Sequence, residues 1–228
     1  HPTDLAAPLP DHGRHDLVIS VVVVALQTAA RADGFVADLC RAGDVVLFSG
    51  KGGISAGIKW ATLSRWSHVG MVLCLPEYDF VALWESTTLG GLPDLDTRVP
   101  RKGVQLVPLS ARLASYDGDV AVRQISGVTL SAQDVQELMA LRREVTGRPY
   151  ETSEMELIRA AYDGPFGRNQ EDLSSLFCSE LVAEAYQRLR LLPGEKPSNE
   201  YTPADFSEKK GLELLRGSLG PEVPLKAA

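Results

Sequence analysis

The sequence predicts an α+β fold in which a small, mostly antiparallel sheet or partial barrel packs against helices. One observation is a series of short apolar runs bounded by turn residues, which is typical of buried strands. Another is the pair Ser67–Leu75 and Phe80–Glu85, which is separated only by Pro-Glu-Tyr-Asp and therefore predicts an antiparallel hairpin. The third is a group of helical patterns in the second half of the chain, one of which carries a cysteine near its start.

Each element follows from a local pattern. Apolar runs predict strands at 45–48, 67–75, 80–85, 104–109 and 119–125. The clearest helix spans 131–146, because Ser131 is a good amino-terminal cap and Gly147 and Pro149 follow its last apolar residue. Shorter helical patterns begin near residues 28, 58, 153, 174 and 202, and the last of these stops near Gly211. Residues 49–57 and 89–102 are predicted to be loops.

The chain of 228 residues is predicted to form a single domain over residues 17–216. Residues 1–16, rich in proline, aspartate and histidine, are expected to be disordered or vector-derived, and residues 217–228 to form a tail. The apolar run Leu17–Leu26 is too short to cross a bilayer, so no transmembrane segment is predicted. It resembles either a signal-peptide core or a buried strand or helix, and the buried element is favoured.

Charge and cysteine content exclude several functions. A net charge of −7 is unfavourable for a dedicated nucleic-acid binder, because such proteins neutralise phosphates. The three cysteines, Cys40, Cys74 and Cys178, form no C-x-x-C pair, so neither a disulfide framework nor a structural zinc site is indicated. The histidines at positions 1, 12 and 15 are interpreted as an incidental terminal cluster, and no metal is predicted.

His68 and Cys178 are the candidates for nucleophilic catalysis, since a thiol and a distant imidazole are its minimum requirement. If the hairpin loop closes symmetrically, Leu75 faces Phe80 and Gly70 faces Glu85. Glu85 then lies diagonally from His68 on the same face, roughly 7–8 Å away between backbones. A slip of one residue would place Glu85 on the opposite face, so the interpretation depends on this register.

Each of the three residues has a chemical role to which its position is suited. Cys178 is predicted in the first turn of a helix capped by Ser174 or Ser175, where unpaired N–H groups favour a thiolate and an oxyanion. His68 would carry the proton, and Glu85 would fix the orientation of its ring. The alternative is that all three are packing residues, as is expected for Cys40 and Cys74.

The order of several short motifs resembles the circularly permuted branch of the NlpC/P60 papain-like superfamily, the YiiX/YaeF-like amidases related to lecithin:retinol acyltransferase. The resemblance extends from about Gly43 to Phe206. The motifs are Gly43-Asp44, Ser67-His68-Val69-Gly70, Trp84-Glu85-Ser86, Gly103-Val104, Gly147-Arg148-Pro149-Tyr150, Phe177-Cys178-Ser179-Glu180-Leu181-Val182 and Thr202-Pro203-Ala204-Asp205. The histidine precedes the cysteine, which is the permuted order. The resemblance implies a permuted papain-like fold with Cys178 as nucleophile, His68 as base and Glu85 as the third member.

The resemblance implies a cysteine hydrolase that cleaves an amide bond through a thioester. The expected partner is a peptide, a peptidoglycan fragment or a lipid-like substrate, no cofactor is needed, and the oligomeric state is open. An exported or secreted bacterial protein is slightly favoured over a cytoplasmic one. The alternatives are a lipid acyltransferase or lipase of the lecithin:retinol acyltransferase type, and an inactive binding module. Candidate substrate-binding residues are Trp60, Trp66, Tyr150 and Tyr186, with Ile54 and Ile58 as further lining; the tryptophans could equally be core aromatics.

Overall fold

In the part of the chain that the structure describes, an open antiparallel sheet of six strands, with helices packed against it, forms an α+β fold. The computed structural model describes residues 40–51, 55–56, 59, 62–75, 80–146, 148 and 174–227. The predictions for Leu17–Leu26 and for the helices beginning near residues 28 and 153 fall outside these residues. No helix in the described part of the chain is long and apolar enough to span a membrane.

The strands are β1 Val45–Gly50, β2 His68–Leu75, β3 Phe80–Thr87, β4 Gly103–Pro108, β5 Gly118–Ser126 and β6 Ser218–Lys226. Their order across the sheet is β4-β3-β2-β1-β5-β6, and every neighbouring pair is antiparallel. Among the described residues, the helices with complete bounds are α1 Leu109–Ser115, α2 Ala132–Val145 and α3 Ser174–Arg188, with short 3-10 turns at Ser198–Glu200 and Glu208–Lys210. Residues 55, 56, 59 and 62 are also helical. The five strands predicted from apolar runs are therefore confirmed, each within two residues at either end.

The sheet separates two apolar clusters, and successive side chains of β1 point alternately into one and the other. Val45 and Leu47 pack in one cluster with the buried face of α3, whereas Val46 and Phe48 pack in the other with Leu109 of α1. Such alternation is what a strand buried on both faces requires. All six residues of β1 are buried, so this strand lies at the centre of the fold.

The hairpin of β2 and β3 has the predicted register. Leu75 pairs with Phe80 and Met71 pairs with Trp84, so the next pair along the ladder brings Gly70 opposite Glu85. His68 is the first residue of β2 and therefore lies at the end of the sheet. Helix α3 packs against β2 and β3. These two relations place the histidine, the glutamate and the cysteine-bearing helix in one region.

Helix α2 confirms the predicted cap but corrects the predicted apolar stripe. The hydroxyl of Ser131 accepts from the backbone N–H of Asp134, and the Asp134 carboxylate accepts from the N–H of Ser131, which is a capping box. Helical spacing predicts an apolar stripe of Val135, Leu138, Met139 and Val145, but Val135 is 44% exposed. The buried face is formed instead by Leu138, Leu141 and Val145.

Helix α3 differs from its prediction at the amino end. Ser174 and Ser175 are residues of the helix rather than its cap, so Cys178 lies in the second turn and not in the first. The unpaired N–H groups of a helix belong to its first turn, so the N–H of Cys178 is not among them. Helical spacing predicts that Leu181, Val182, Ala185 and Leu189 share one face with Cys178, and this is confirmed because all five are buried.

Two further predictions in the carboxyl-terminal region are wrong. No α-helix follows Thr202; Asp205 accepts from the Thr202 N–H and hydroxyl in a local turn, and only the 3-10 turn Glu208–Lys210 precedes Gly211. The expected tail contains strand β6, whose Pro221 and Pro224 are tolerated because it is an edge strand. Buried Arg123 holds this segment by donating to the carbonyls of Phe206, Leu219 and Gly220 at 2.7–2.9 Å.

Candidate active site

His68 and Glu85 form a buried hydrogen-bonded pair, as the hairpin register predicts. The Nε2 atom of His68 lies 2.7 Å from Oε2 of Glu85, and the two side chains are 10% and 0% exposed. Glu85 projects beside Gly70, where a Cβ atom would meet Cβ of Glu85 at 3.2 Å and Cδ1 of Leu83 at 2.8 Å. The missing side chain of Gly70 therefore provides the space through which the carboxylate reaches the imidazole.

Gly70→Ala is expected to destabilise the protein by about 1–3 kcal/mol, because the added methyl group overpacks the interior beside Glu85. Urea denaturation measures the free energy of unfolding. The matched control is Gly91→Ala, since a Cβ atom there has nothing within 4 Å. Equal stability of the two variants would contradict the close-approach role of Gly70.

Cys178 is the third member of the group. It is fully buried on α3, and its side chain makes a hydrogen bond with His68. Because Nε2 of His68 is bonded to Glu85, Nδ1 is the ring nitrogen that remains for the thiol. The imidazole therefore lies between a sulfur and a carboxylate.

The second oxygen of Glu85 is held by residues that sequence reasoning did not identify. Arg112 of α1 donates from Nε to Oε1 at 2.8 Å, and its Nη2 atom lies 2.6 Å from the same oxygen. Gln105 of β4 donates from Nε2 to Oε1 at 3.3 Å and to the carbonyl of Leu89 at 3.1 Å. Arg112 is only 3% exposed. A buried carboxylate needs such donors. The placement of Glu85 in a buried strand is therefore the feature of the sequence that indicates a donor such as an arginine nearby.

The charges of this group favour ionised partners. Burial lowers the pKa of His68, but the charge and hydrogen bond of Cys178, followed by those of Glu85, outweigh it and raise that pKa to about 9. Burial raises the pKa of Glu85, but His68 and Arg112 together lower it below its ordinary value. The imidazole is therefore in a setting that favours the imidazolium, and the glutamate in one that favours the carboxylate.

The other two cysteines are in a different setting. Burial, assisted by the charge of Asp44, raises the pKa of Cys40 to about 12 and that of Cys74 to about 11. Cys74 donates to the carbonyl of Cys40 at 3.7 Å. Both are expected to react slowly with electrophiles, because the thiolate is the reactive form.

Two of the residues predicted to bind substrate have structural partners instead. Tyr186 is fully buried, and its hydroxyl donates to the carbonyl of Gly43 at 2.6 Å. Trp66 is 1% exposed, its Nε1 donates to Glu222 at 2.7 Å, and the guanidinium of Arg65 lies 4.4 Å from its ring. Both are packing residues of the core. Trp60, Tyr150, Ile54 and Ile58 lie outside the described residues.

Metal-ligating side chains do not converge in the part of the chain that the structure describes. There, no group of three or more histidine, cysteine, aspartate or glutamate residues could hold an ion. Both oxygens of the buried Glu85 are already occupied by nitrogen donors. The position of His68 between the thiol of Cys178 and the carboxylate of Glu85 allows a proton to move between thiol and imidazole while the carboxylate fixes the ring.

Comparison with known proteins identifies a weakly similar solved structure but no matching family. No protein-family model matches the chain, and no curated protein sequence matches it either. Among solved structures the chain is similar to the metalloprotein YiiX from Escherichia coli, with 20% identity and a TM-score of 0.43. The match covers 83% of this chain and 98% of that one. A likeness at this level is weak and does not establish the fold or a metal site in this chain.

Proposed function

We propose that the protein is a cysteine hydrolase that cleaves an amide bond through a thioester on Cys178. The observation that carries this proposal is His68, which is hydrogen-bonded to both Cys178 and Glu85 in a buried site. A base between a nucleophile and an orienting carboxylate is the arrangement used in acyl transfer. The order of histidine before cysteine along the sequence favours a permuted papain-like fold.

The proposed reaction begins from the ion pair in which Nδ1 of His68 holds the thiol proton, and the sulfur of Cys178 attacks the carbonyl carbon. Collapse of the tetrahedral intermediate breaks the C–N bond, and the imidazolium gives its proton to the leaving amine. The acyl group is then held on Cys178 as a thioester. His68 takes a proton from water, the hydroxide attacks the thioester, and the thiol and a carboxylic acid are released. Glu85 keeps a proton on Nε2 throughout, so Nδ1 is the ring atom that gains and loses the proton.

Selective alkylation tests the nucleophile. We expect iodoacetamide at neutral pH to modify Cys178 before Cys40 and Cys74, because the raised pKa of each of those two thiols keeps it protonated. Peptide mapping by mass spectrometry measures the rate for each cysteine in one sample. Unfolded protein in urea provides the control, since all three thiols should then react at similar rates. Preferential labelling of Cys40 or Cys74 in the folded protein would overturn the assignment.

A substrate panel tests the type of bond. Purified protein is incubated with muropeptides, N-acyl lipids and acylglycerols, and products are quantified by mass spectrometry. We expect release of an amine and a carboxylic acid from one of the two amide classes. Transfer of the acyl group to an added alcohol or amine instead of water would indicate an acyltransferase. Turnover of none of these substrates would leave the binding-module alternative as the better account.

A further inference from the structure

We infer that Arg112 is a positioning residue of the proposed catalytic group, which acts through Glu85 to keep His68 in the tautomer that accepts the thiol proton. This inference rests on the proposed function. Its central observation is that the two oxygens of the Glu85 carboxylate contact different residues. Oε2 contacts His68 at 2.7 Å, and Oε1 contacts Arg112 at 2.6 and 2.8 Å. One carboxylate oxygen thus serves the imidazole and the other serves the guanidinium.

The need for Arg112 follows from the burial of Glu85. A carboxylate with no exposure to solvent is costly unless it is paired, and without a partner it takes up a proton instead. Arg112 carries a permanent positive charge, whereas the charge of His68 changes during the proposed reaction. When His68 is neutral, Arg112 is the partner that still compensates Glu85. The fixed charge of Arg112 therefore keeps Glu85 ionised both when His68 is protonated and when it is neutral.

The consequence for His68 is a choice between tautomers. An ionised Glu85 can only accept, so Nε2 must carry a proton and the lone pair is left on Nδ1, on the side of Cys178. A protonated Glu85 would donate to Nε2, so Nδ1 of a neutral ring would carry the proton and could not accept one from the thiol. Arg112 therefore decides the protonation of a ring that it does not touch in the described contacts.

Glu85 is enclosed by groups from four elements. His68 reaches it from β2, Arg112 from α1, and the neutral amide of Gln105 from β4. The phenol of Tyr116, which follows α1, lies close enough to feel the charges of Glu85, Cys178 and Arg112 and is hydrogen-bonded to Ser67. Burial is the main cause that raises the pKa of Tyr116, to about 12, so it stays neutral below that pH. Cys178 on α3 completes the group, and Arg112 is its permanent cation.

The test measures the rate of Cys178 alkylation by iodoacetamide from pH 5 to 10, with peptide mapping to follow that thiol alone. For Arg112→Met we expect the pH midpoint of the reaction to move upward by about one unit, which is about a 10-fold lower rate on the acidic side. Arg112→Lys retains the charge but loses the paired N–H donors of the guanidinium, so its pH midpoint should lie between those of the native protein and Arg112→Met. Circular dichroism confirms folding of each variant. If Arg112→Met does not fold, Arg112→Lys decides the outcome.

The matched control is Arg123→Met, because Arg123 is similarly buried and its hydrogen bonds within the described residues go to backbone carbonyls. It should lower stability without moving the pH midpoint. In a Glu85→Gln background, adding Arg112→Met should change the midpoint little, since the group through which Arg112 acts is gone. An unchanged profile in Arg112→Met, or an equal shift in the Glu85→Gln background, would overturn the inference. Failure of the proposed function would appear separately, as absence of turnover with the alkylation profiles still distinct.

Discussion

Cys178→Ala is expected to abolish turnover of any amide substrate identified for this protein, with a loss of at least about 10⁴-fold in kcat. The reason is chemical, since alanine cannot form the thioester. The structural effect should be small, because deleting one buried sulfur leaves only a small cavity that costs about 1–2 kcal/mol. Initial rates with purified enzyme measure the loss, and thermal unfolding measures the stability.

Cys178→Ser separates nucleophilicity from packing. Serine has nearly the same shape and can hydrogen-bond to His68, but its hydroxyl is far less acidic, so turnover should stay close to that of the alanine variant. Cys74→Ala is the control, since Cys74 is a partly exposed thiol on the same strand as His68 and should leave turnover within a factor of about two. If Cys178→Ala retained activity and Cys74→Ala lost it, the assignment of Cys178 as the nucleophile would be wrong.

The hairpin could be predicted because everything that determines it is local. The register of β2 and β3 depends on a short turn and on alternating side chains, so the contact between His68 and Glu85 followed from counting residues. The cap of α2 at Ser131 is local in the same sense. The buried face of α3 followed from helical spacing alone.

The remaining features depend on contacts between distant parts of the chain. Arg112 reaches Glu85 from 27 residues away, and its helix α1 has no pattern that separates it from the strand before it. Strand β6 contains two prolines and a glycine, which are unfavourable in strands, so it is its pairing with β5 that makes it a strand. Tyr186 and Trp66 are candidates for substrate contacts from the sequence, but their side chains donate to Gly43 and Glu222, which are 143 and 156 residues away.

Glu85→Ala is expected to destabilise the protein by about 3–5 kcal/mol, which is the cost of leaving a buried charge without its partner. Arg112 is 3% exposed and would lose the carboxylate that two of its nitrogens contact. His68 would lose its hydrogen bond in the same step. Urea denaturation at pH 7 measures the change. Glu144→Ala is the matched control, because Glu144 is 52% exposed and its ion pair with Arg188 should contribute less than about 1 kcal/mol.

The pH dependence distinguishes a lost charge from a simple cavity. The pKa of Glu85 is lowered on folding, so its contribution to stability is present above the ordinary value of 4.5 and is lost as pH falls through the lower folded pKa. The pKa of His68 is raised to about 9, so its contribution is present below the ordinary value of 6.5 and is lost as pH rises through about 9. The Glu85→Ala variant should therefore show a flatter stability curve than the native protein at both ends. A stability curve merely displaced downward, with both slopes preserved, would mean that Glu85 contributes packing and not charge.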